Sequence, residues 1–161
     1  MDLTVSGLTN TSFSDQAADR LDHSKKIHEK TSTIFINGTV VADSIDMMIA
    51  NVNGVLRKFM ACITTTIATG ADRTITVDLQ LGNTGNTFAT VLGPAAADAD
   101  KINFTNTSVL RTFVANDAVF AITSFSENDI LRCVITVAGA AGAQAVDMVV
   151  TLIYSENPTT V

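Results

Sequence analysis

The sequence predicts an all-β fold, a two-sheet antiparallel β-sandwich that is jelly-roll-like and carries an extended N-terminal arm. The clearest sign is residues 73–81, where Ile75, Val77, Leu79 and Leu81 alternate with polar side chains. Successive side chains of a strand point to opposite faces, so this period indicates a strand with one buried and one wet face. Threonine-rich segments of the same kind recur as far as residue 154, separated by turn residues. Only the first 30 residues are polar and weakly patterned.

Length and composition predict one domain with an unusually apolar surface. The chain has 161 residues and a mass of 17.0 kDa, which is enough for a proper core. Hydrophobic residues make up 47% and charged residues 16%, and the mean hydropathy is +0.32. This is too apolar for a disordered protein and unusual for a free monomer, so we expect contact with other subunits. We therefore divide the chain into an arm, residues 1–30, and a sandwich domain, residues 31–161.

The arm contains one predicted short helix, residues 14–23. Ser12 and Asp15 have the spacing of a capping box, and Ala17, Ala18 and Leu21 form a modest apolar side. Isolated helices of this length are marginal in water. The segment is therefore expected to order only against the domain or a partner.

The start of the sandwich predicts a hairpin followed by an ambiguous segment. Residues 33–36 and 39–41 have strand composition on either side of Asn37-Gly38, a pair that accepts the positive φ angles of tight turns. In residues 43–51, Asp43 and Asp46 could cap one helical turn, or the segment could be a connection that crosses the sandwich.

Seven core strands are predicted after that point, and their boundaries are set by turn residues. Residues 93–101 form the long loop. Several strands are apolar on both faces, residues 146–154 above all, and a neighbouring subunit or the arm would supply the second cover. The seven strands are residues 55–68, 73–81, 86–92, 109–114, 119–125, 130–138 and 146–154.

Charge and hydropathy exclude several classes of function. The net charge of −6 and the pI of about 4.6 leave no electrostatic footprint for nucleic acid. No apolar run approaches the roughly 20 residues of a spanning helix, and the start lacks the features of a signal peptide. We therefore expect neither nucleic-acid nor membrane binding, and no secretion. Cys62 and Cys133 lie within predicted strands, where buried thiols are the expected state rather than a disulfide.

No constellation for catalysis, metal or cofactor binding is found in the sequence. His23 and His28 lie five residues apart in the arm, which does not place two ligands on one helical face. Asp98 and Asp100 alternate in the long loop, but this loop lacks the further oxygen ligands and the glycine of a calcium loop. Neither cysteine has a histidine nearby in sequence. We expect a protein that is not an enzyme and holds no cofactor.

A resemblance to a known family begins at residue 53. The run Asn-Gly-Val-Leu-Arg at 53–57, Thr-Gly-Ala-Asp at 69–72, Arg-Thr-Ile-Thr-Val at 73–77 and Leu-Gly-Asn-Thr at 81–84 resembles small jelly-roll virion proteins of tailed bacteriophages. These are head decoration proteins, head fibres and tail spikes. The turn at 126–131 and the closing strand at 147–152 are similar to the same modules. The resemblance implies a homotrimer on the outside of a virion, without catalytic residues.

The expected function follows from this resemblance and from the arm. We expect a structural virion protein that decorates and stabilises a bacteriophage capsid by binding the major capsid protein, after synthesis in the host cytoplasm. The alternative is a head- or tail-fibre module that recognises a ligand on the host surface. The arm carries separated apolar residues that would bind the capsid, because a segment that orders only on a partner can span a wide surface. They are Leu3, Val5, Leu8, Phe13 and Leu21.

Overall fold

The computed structural model of the protein describes residues 29–65, 67, 74–83, 85, 87–93, 100–105, 107–116, 120–139 and 145–156. These residues form ten β-strands and no α-helix, which confirms the predicted all-β class. Within them no helix is long and apolar enough to span a membrane. The strands are β1 (Glu29–Thr39), β2 (Asp43–Ile49), β3 (Gly54–Ile63), β4 (Thr74–Gly82), β5 (Phe88–Thr90), β6 (Ile102–Phe104), β7 (Val114–Asn116), β8 (Ser124–Phe125), β9 (Ile130–Ala138) and β10 (Val146–Glu156).

The strands form two antiparallel sheets. The first sheet has the order β1-β10-β3-β7, with β8 also paired to β3. The second has the order β2-β9-β4-β5, with β6 also paired to β4. β10 pairs along the whole of one edge of β3, and β7 and β8 share the other edge. In the same way, β9 pairs along one edge of β4, and β5 and β6 share its other edge. Each pair acts as one interrupted strand.

Counted in this way, the sandwich has eight strand positions, four in each sheet. Consecutive strands alternate between the sheets at β1 to β2 and at β3 to β4, and β9 and β10 return to the centres of opposite sheets. This is the interleaved order of a jelly roll built from two Greek keys. The predicted jelly-roll-like sandwich is therefore confirmed by the strand order.

The core lies between the two sheets and contains the inward residues of both. β3 and β10 supply the centre of the first sheet, and β4 and β9 supply the centre of the second. All of the largest fully buried side chains are apolar, as expected for a core that excludes water. They are Phe59, Phe104, Ile63, Ile67, Ile75, Leu79, Leu92, Leu131, Ile135, Met148, Leu152 and Val40.

The register of β4 is the predicted one on its apolar side. Ile75, Val77 and Leu79 are buried between the sheets. The opposite side is less exposed to solvent than the sequence predicts. The Thr76 hydroxyl donates a hydrogen bond to Oδ1 of Asn103 at 2.8 Å, and Asp78 is buried. Neighbouring strands cover this side with polar groups rather than leaving it to solvent.

Replacing Val77 by alanine is expected to lower the free energy of unfolding by about 3 kcal/mol, because a fully buried side chain leaves a cavity. Thr76→Ala loses one half-buried hydrogen bond and is expected to cost about 1 kcal/mol. Chemical denaturation of both variants measures the difference. Equal losses would show that the strand register is shifted by one residue.

The predicted hairpin about Asn37-Gly38 is wrong. Instead, β1 runs through both residues as one edge strand that pairs with β10. The register shifts between Ile36 and Thr39, and Gly38 has a φ of 84° and donates its N–H to Oδ1 of Asp147 at 2.7 Å. The positive φ that suits a turn here serves a β-bulge.

Both interpretations of residues 43–51 are also wrong, since Asp43–Ile49 forms β2, the edge strand of the second sheet. The crossing between sheets occurs just before it, after β1 ends at Thr39. A register shift between Asp46 and Met48 interrupts the alternation, so the strand carries no clear period-two signal.

Several predicted strands have different lengths in the structure. β3 ends at Ile63, five residues before the predicted end. Of the predicted strand at 109–114, only Val114 lies in a strand, as the first residue of β7, and residues 109–113 are exposed chain. β6 follows directly on the predicted long loop and was not predicted. The predicted strands at 130–138 and 146–154 correspond to β9 and β10, and both cysteines are free and buried as expected.

Burial raises the pKa of the Cys133 thiol to about 12, with smaller contributions from the carboxylates of Asp78 and Asp43. An unfolded chain ionises this thiol near pH 9, whereas the folded chain keeps it protonated. The contribution of this thiol to the free energy of unfolding is therefore fully present below pH 9. It is lost as the pH rises toward 12, and the loss is up to about 4 kcal/mol. Denaturation of the wild type and of Cys133→Ala between pH 8 and 11 should show a shallower decline in the variant. Parallel curves would contradict this.

Candidate interaction surfaces

The residues predicted to bind the capsid, Leu3, Val5, Leu8, Phe13 and Leu21, lie outside the described residues, as do His23, His28 and Asp98. The described chain begins at Glu29, the first residue of β1. Since β1 is an edge strand of the first sheet, the arm joins the sandwich at a sheet edge.

The outward side of the first sheet carries apolar side chains interspersed with threonines. Phe35, Val149 and Cys62 lie side by side across β1, β10 and β3, and Thr33, Thr151 and Met60 form the next row. Ile153 follows in the third row between Thr31 and Lys58. We call the strand residues Phe35, Val149, Cys62, Met60 and Ile153 the apolar face. The predicted second apolar side of β10 therefore exists, as Val149 and Ile153, each partly exposed.

Phe35 is the most exposed member of the apolar face, at 69% of its surface. Cys62 lies at the centre and is 6% exposed, with its thiol 3.6 Å from the carbonyl oxygen of Ile63. The exposure of a large aromatic ring to water is unfavourable. A group of exposed apolar side chains on one side of a sheet is typical of a contact surface.

A second group of exposed apolar residues lies in the loop that precedes β7 and at the first residue of β7. We call Val109, Leu110, Phe113 and Val114 the loop patch; their exposed fractions range from 37% to 69%. The N–H of Arg111 donates to the carbonyl oxygen of Ile63 at 2.9 Å, which fixes the loop against the end of β3. Arg111 has a φ of 54°, a left-handed conformation that is uncommon for a residue other than glycine. This contact sets the path of the loop that carries Val109, Leu110 and Phe113.

The outward side of the second sheet carries polar side chains that form hydrogen bonds with one another. Asp78 is only 4% exposed, and its carboxylate accepts hydrogen bonds from Oγ1 of Thr90 at 2.6 Å and from Nε2 of Gln80 at 3.1 Å. A buried carboxylate needs such donors. Sequence reasoning missed this cluster because a strand carries no signal of what its neighbours place over an aspartate.

Arg132 forms the other polar contact on this side. Its Nε donates to Oδ1 of Asp46 at 2.7 Å, and its guanidinium lies 3.7 Å from the ring centroid of Phe88. The Phe88 ring packs on Gly82, which has no side chain of its own to cover the strand. The ion pair and the cation–π contact connect side chains of β2, β9 and β5, and the guanidinium covers one face of the Phe88 ring.

Among the described residues, no group of three or more histidine, cysteine, aspartate or glutamate side chains is arranged to hold a metal ion. The outward side of the first sheet differs from that of the second in carrying more apolar side chains, such as Phe35 and Val149. The arrangement suits contact with other protein segments on the first sheet and contact with water on the second.

No protein-family model matches the chain, and no curated protein matches it. A search of solved structures finds the chain similar to one in the capsid of Ralstonia phage GP4, with 17% identity, a TM-score of 0.48 and coverage of 81% of this chain and 86% of that one. It is also similar to a chain of the cyanophage Pam1 capsid asymmetric unit, with 16% identity, a TM-score of 0.39 and coverage of 78% and 82%.

A third similar structure is the N-terminal part of xylanase 10B from Clostridium thermocellum, with its CBM22-1 and GH10 modules in complex with xylohexaose. The identity is 9% and the TM-score 0.34, and the likeness covers 84% of this chain and 26% of that one. Each of these TM-scores lies below 0.5, so the jelly-roll assignment rests on the strand order of this chain.

Proposed function

We propose that this protein is a structural virion protein that decorates and stabilises the outside of a bacteriophage capsid by binding major capsid protein subunits. Under this proposal it is made in the host cytoplasm and acts on the virion. The observation that carries the proposal is the junction at Glu29, where 28 residues with scattered apolar side chains join an edge strand of a complete sandwich. Such a chain can reach over neighbouring subunits while the folded domain stays on the surface.

The resemblance to phage virion proteins supports the same conclusion through its position in the fold. Its residues 53–57 form the beginning of β3, and residues 73–77 and 81–84 include most of β4. These two strands are central strands of opposite sheets, and their apolar residues, such as Leu56 and Val77, are buried. The resemblance thus covers the framework of the sandwich rather than a catalytic or ligand site.

The proposed capsid contact is made by the arm through Leu3, Val5, Leu8, Phe13 and Leu21. Each apolar residue is separated from the next by polar residues, so the arm presents several small contacts instead of one patch. A segment of this kind becomes ordered on its partner, and the capsid surface supplies the apolar sites.

A homotrimer is the second part of the proposal, and the loop patch supports it. The four side chains of this patch, three in the loop and Val114 at the start of β7, are exposed, and a closed symmetric assembly would cover them. Light scattering of the free protein is expected to give three times the chain mass of 17.0 kDa. Phe113→Asp should shift this mass to that of one chain, because a charge in the contact is costly. A monomer mass for the unaltered protein at micromolar concentration would overturn the trimer.

The alternative is a fibre module that recognises a ligand on the host surface, and the polar side of the second sheet is the surface it would use. The polar side chains of this surface already form hydrogen bonds with one another, as Asp78 does with Thr90 and Gln80. The Phe88 ring on the same surface is covered by Arg132. We therefore favour decoration.

Sedimentation of intact virions tests the choice between the two functions. A decoration protein should co-sediment at a fixed copy number per capsid, in proportion to the capsid lattice, and should raise the temperature at which the shells open. A fibre module should be present in few copies, and adding the free protein should compete with adsorption of virions to cells. The second pattern without the first would contradict the proposal.

A further inference from the structure

The sequence contains two asparagines that are each followed by glycine, Asn37 and Asn53. An asparagine in this position loses its side-chain amide readily, because glycine puts no side chain in the way of an attack by its own backbone nitrogen. The two pairs share this local sequence. A difference between their reactivities in the folded protein therefore comes from the fold.

The pair Asn53-Gly54 is held by contacts on both sides. Gly54 pairs with Glu156 of β10 and with Phe125 of β8, and a β-carbon at Gly54 would contact the Phe125 ring. Oδ1 of Asn53 accepts a hydrogen bond from the N–H of Glu127 at 3.0 Å. A reaction at this pair requires the side chain and the start of a central strand to leave their partners together.

The pair Asn37-Gly38 lies in the β-bulge of an edge strand. The pairing of β1 with β10 skips both residues, which together face the single residue Asp147. Both are exposed, and a β-carbon at Gly38 would meet no other atom of the described residues within 4 Å. The contact that restrains the pair is the hydrogen bond from the N–H of Gly38 to Oδ1 of Asp147, at 2.7 Å.

We propose that Asn37 is a modification site, at which the backbone nitrogen of Gly38 displaces the side-chain amide, and that Asp147 slows this reaction by holding the hydrogen of that nitrogen. The nitrogen gives its proton to solvent and forms a bond to Cγ of Asn37. The bond from Cγ to the amide nitrogen breaks, and this nitrogen takes up a proton and leaves as ammonia. Water then opens the cyclic imide at either carbonyl carbon, which yields aspartate or isoaspartate. In sum, one water enters and one ammonia leaves, without oxidation or reduction.

Asp147 slows the reaction for two physical reasons. The attacking nitrogen must lose the hydrogen that the carboxylate accepts, and negative charge then develops next to a carboxylate. The chain must also rotate before the nitrogen reaches Cγ of Asn37, and the hydrogen bond opposes that rotation. The product places a second carboxylate beside Asp147, and its isoaspartate form adds one backbone atom to the bulge. Both changes weaken the pairing of β1 with β10, whether or not the protein binds a capsid.

Peptide mapping by mass spectrometry tests the proposal on the full-length protein, kept folded in a mildly alkaline buffer. Trypsin releases both asparagines in one peptide, residues 31–57, and fragmentation of this peptide assigns each new carboxylate to its position. In the folded protein we expect the reaction at Asn37 to be at least about tenfold faster than at Asn53, because an edge bulge opens locally and a central strand does not. In guanidinium the two rates should be similar. A folded rate at Asn37 no greater than that at Asn53 would overturn the modification site.

Two variants test the role of Asp147, and the ratio of the Asn37 rate to the Asn53 rate is the measurement. Asp147→Gly removes the carboxylate and suits the φ of 55° at this position, so the ratio should rise several-fold. Asp147→Asn is the matched control, because its side-chain oxygen can accept the same hydrogen bond, and its ratio should stay below that of Asp147→Gly. A general loss of stability would accelerate both asparagines and leave the ratio unchanged. An unchanged ratio in Asp147→Gly would overturn the role of Asp147.

Discussion

Replacing Gly54 by alanine is expected to lower the free energy of unfolding by about 3 kcal/mol or more, a large fraction of the stability of a single domain. Gly54 begins β3, and a β-carbon there would contact the Phe125 ring and lie 2.6 Å from the carbonyl oxygen of Ser155. Neither can yield easily, because Ser155 pairs with β3 through its backbone and the buried Phe125 ring packs against the Tyr154 ring in a T-shaped contact. The strand would have to move away from its neighbours.

Gly38→Ala is the matched control. A β-carbon at Gly38 meets no atom within 4 Å, but its φ of 84° strains any side chain, so we expect a loss of about 1 kcal/mol. Thermal and urea denaturation of the two variants measure both losses. A loss at Gly54 no larger than that at Gly38 would mean that the Phe125 ring does not pack on β3 as the structure has it.

The sequence predicts the long central strands well, for a physical reason. β4 and β9 each carry nine residues whose own alternation records which side faces the core. A shift of one residue would move every apolar side chain to the wrong side, so the pattern is under strong constraint. The same argument explains why β10 was predicted with two apolar sides, since it lies at the centre of its sheet and carries the apolar face outward.

The short strands and the edges could not be predicted in this way. β6 and β8 contain three and two residues, and they exist because β4 and β3 offer free edges for pairing. At Asn37-Gly38 the local sequence permits either a turn or a bulge, and only the distant partner Asp147 selects the bulge. Long-range pairing decides in both cases, and no local window contains it.

For the candidate surfaces too, the sequence predicts what one strand contains and not what pairing with distant strands brings together. The sequence indicates a second apolar side on β10, but it does not show that Phe35 and Cys62 from other strands complete one face with Val149. Likewise, the position of Asp78 among alternating residues predicts exposure, and its burial under Thr90 depends on how β5 pairs with β4. The proposed anchors in the arm lie outside the described residues and remain predictions.

Removing residues 1–26 is expected to abolish attachment to the capsid or to weaken it greatly, while the sandwich stays folded. The physical reason is that the proposed contacts Leu3, Val5, Leu8, Phe13 and Leu21 all lie in the removed segment. Binding to purified shells that lack the protein, measured as bound copies per shell after sedimentation, gives the result. The circular dichroism of the truncated protein provides the control for folding.

A finer variant separates the arm from the sandwich as the site of attachment. Changing Leu3, Val5 and Leu8 together to serine removes three apolar contacts and keeps the length, the charge and the predicted helix of the arm. Each buried leucine or valine contributes about 1.5 to 3 kcal/mol, so we expect affinity for the shell to fall by at least about a thousandfold. The matched control changes Thr4, Ser6 and Thr9 to alanine and should bind nearly as well as the unaltered protein. If the serine variant and the truncated protein still decorated shells at full occupancy, the binding surface would lie on the sandwich, and the exposed loop patch would be the first place to look for it.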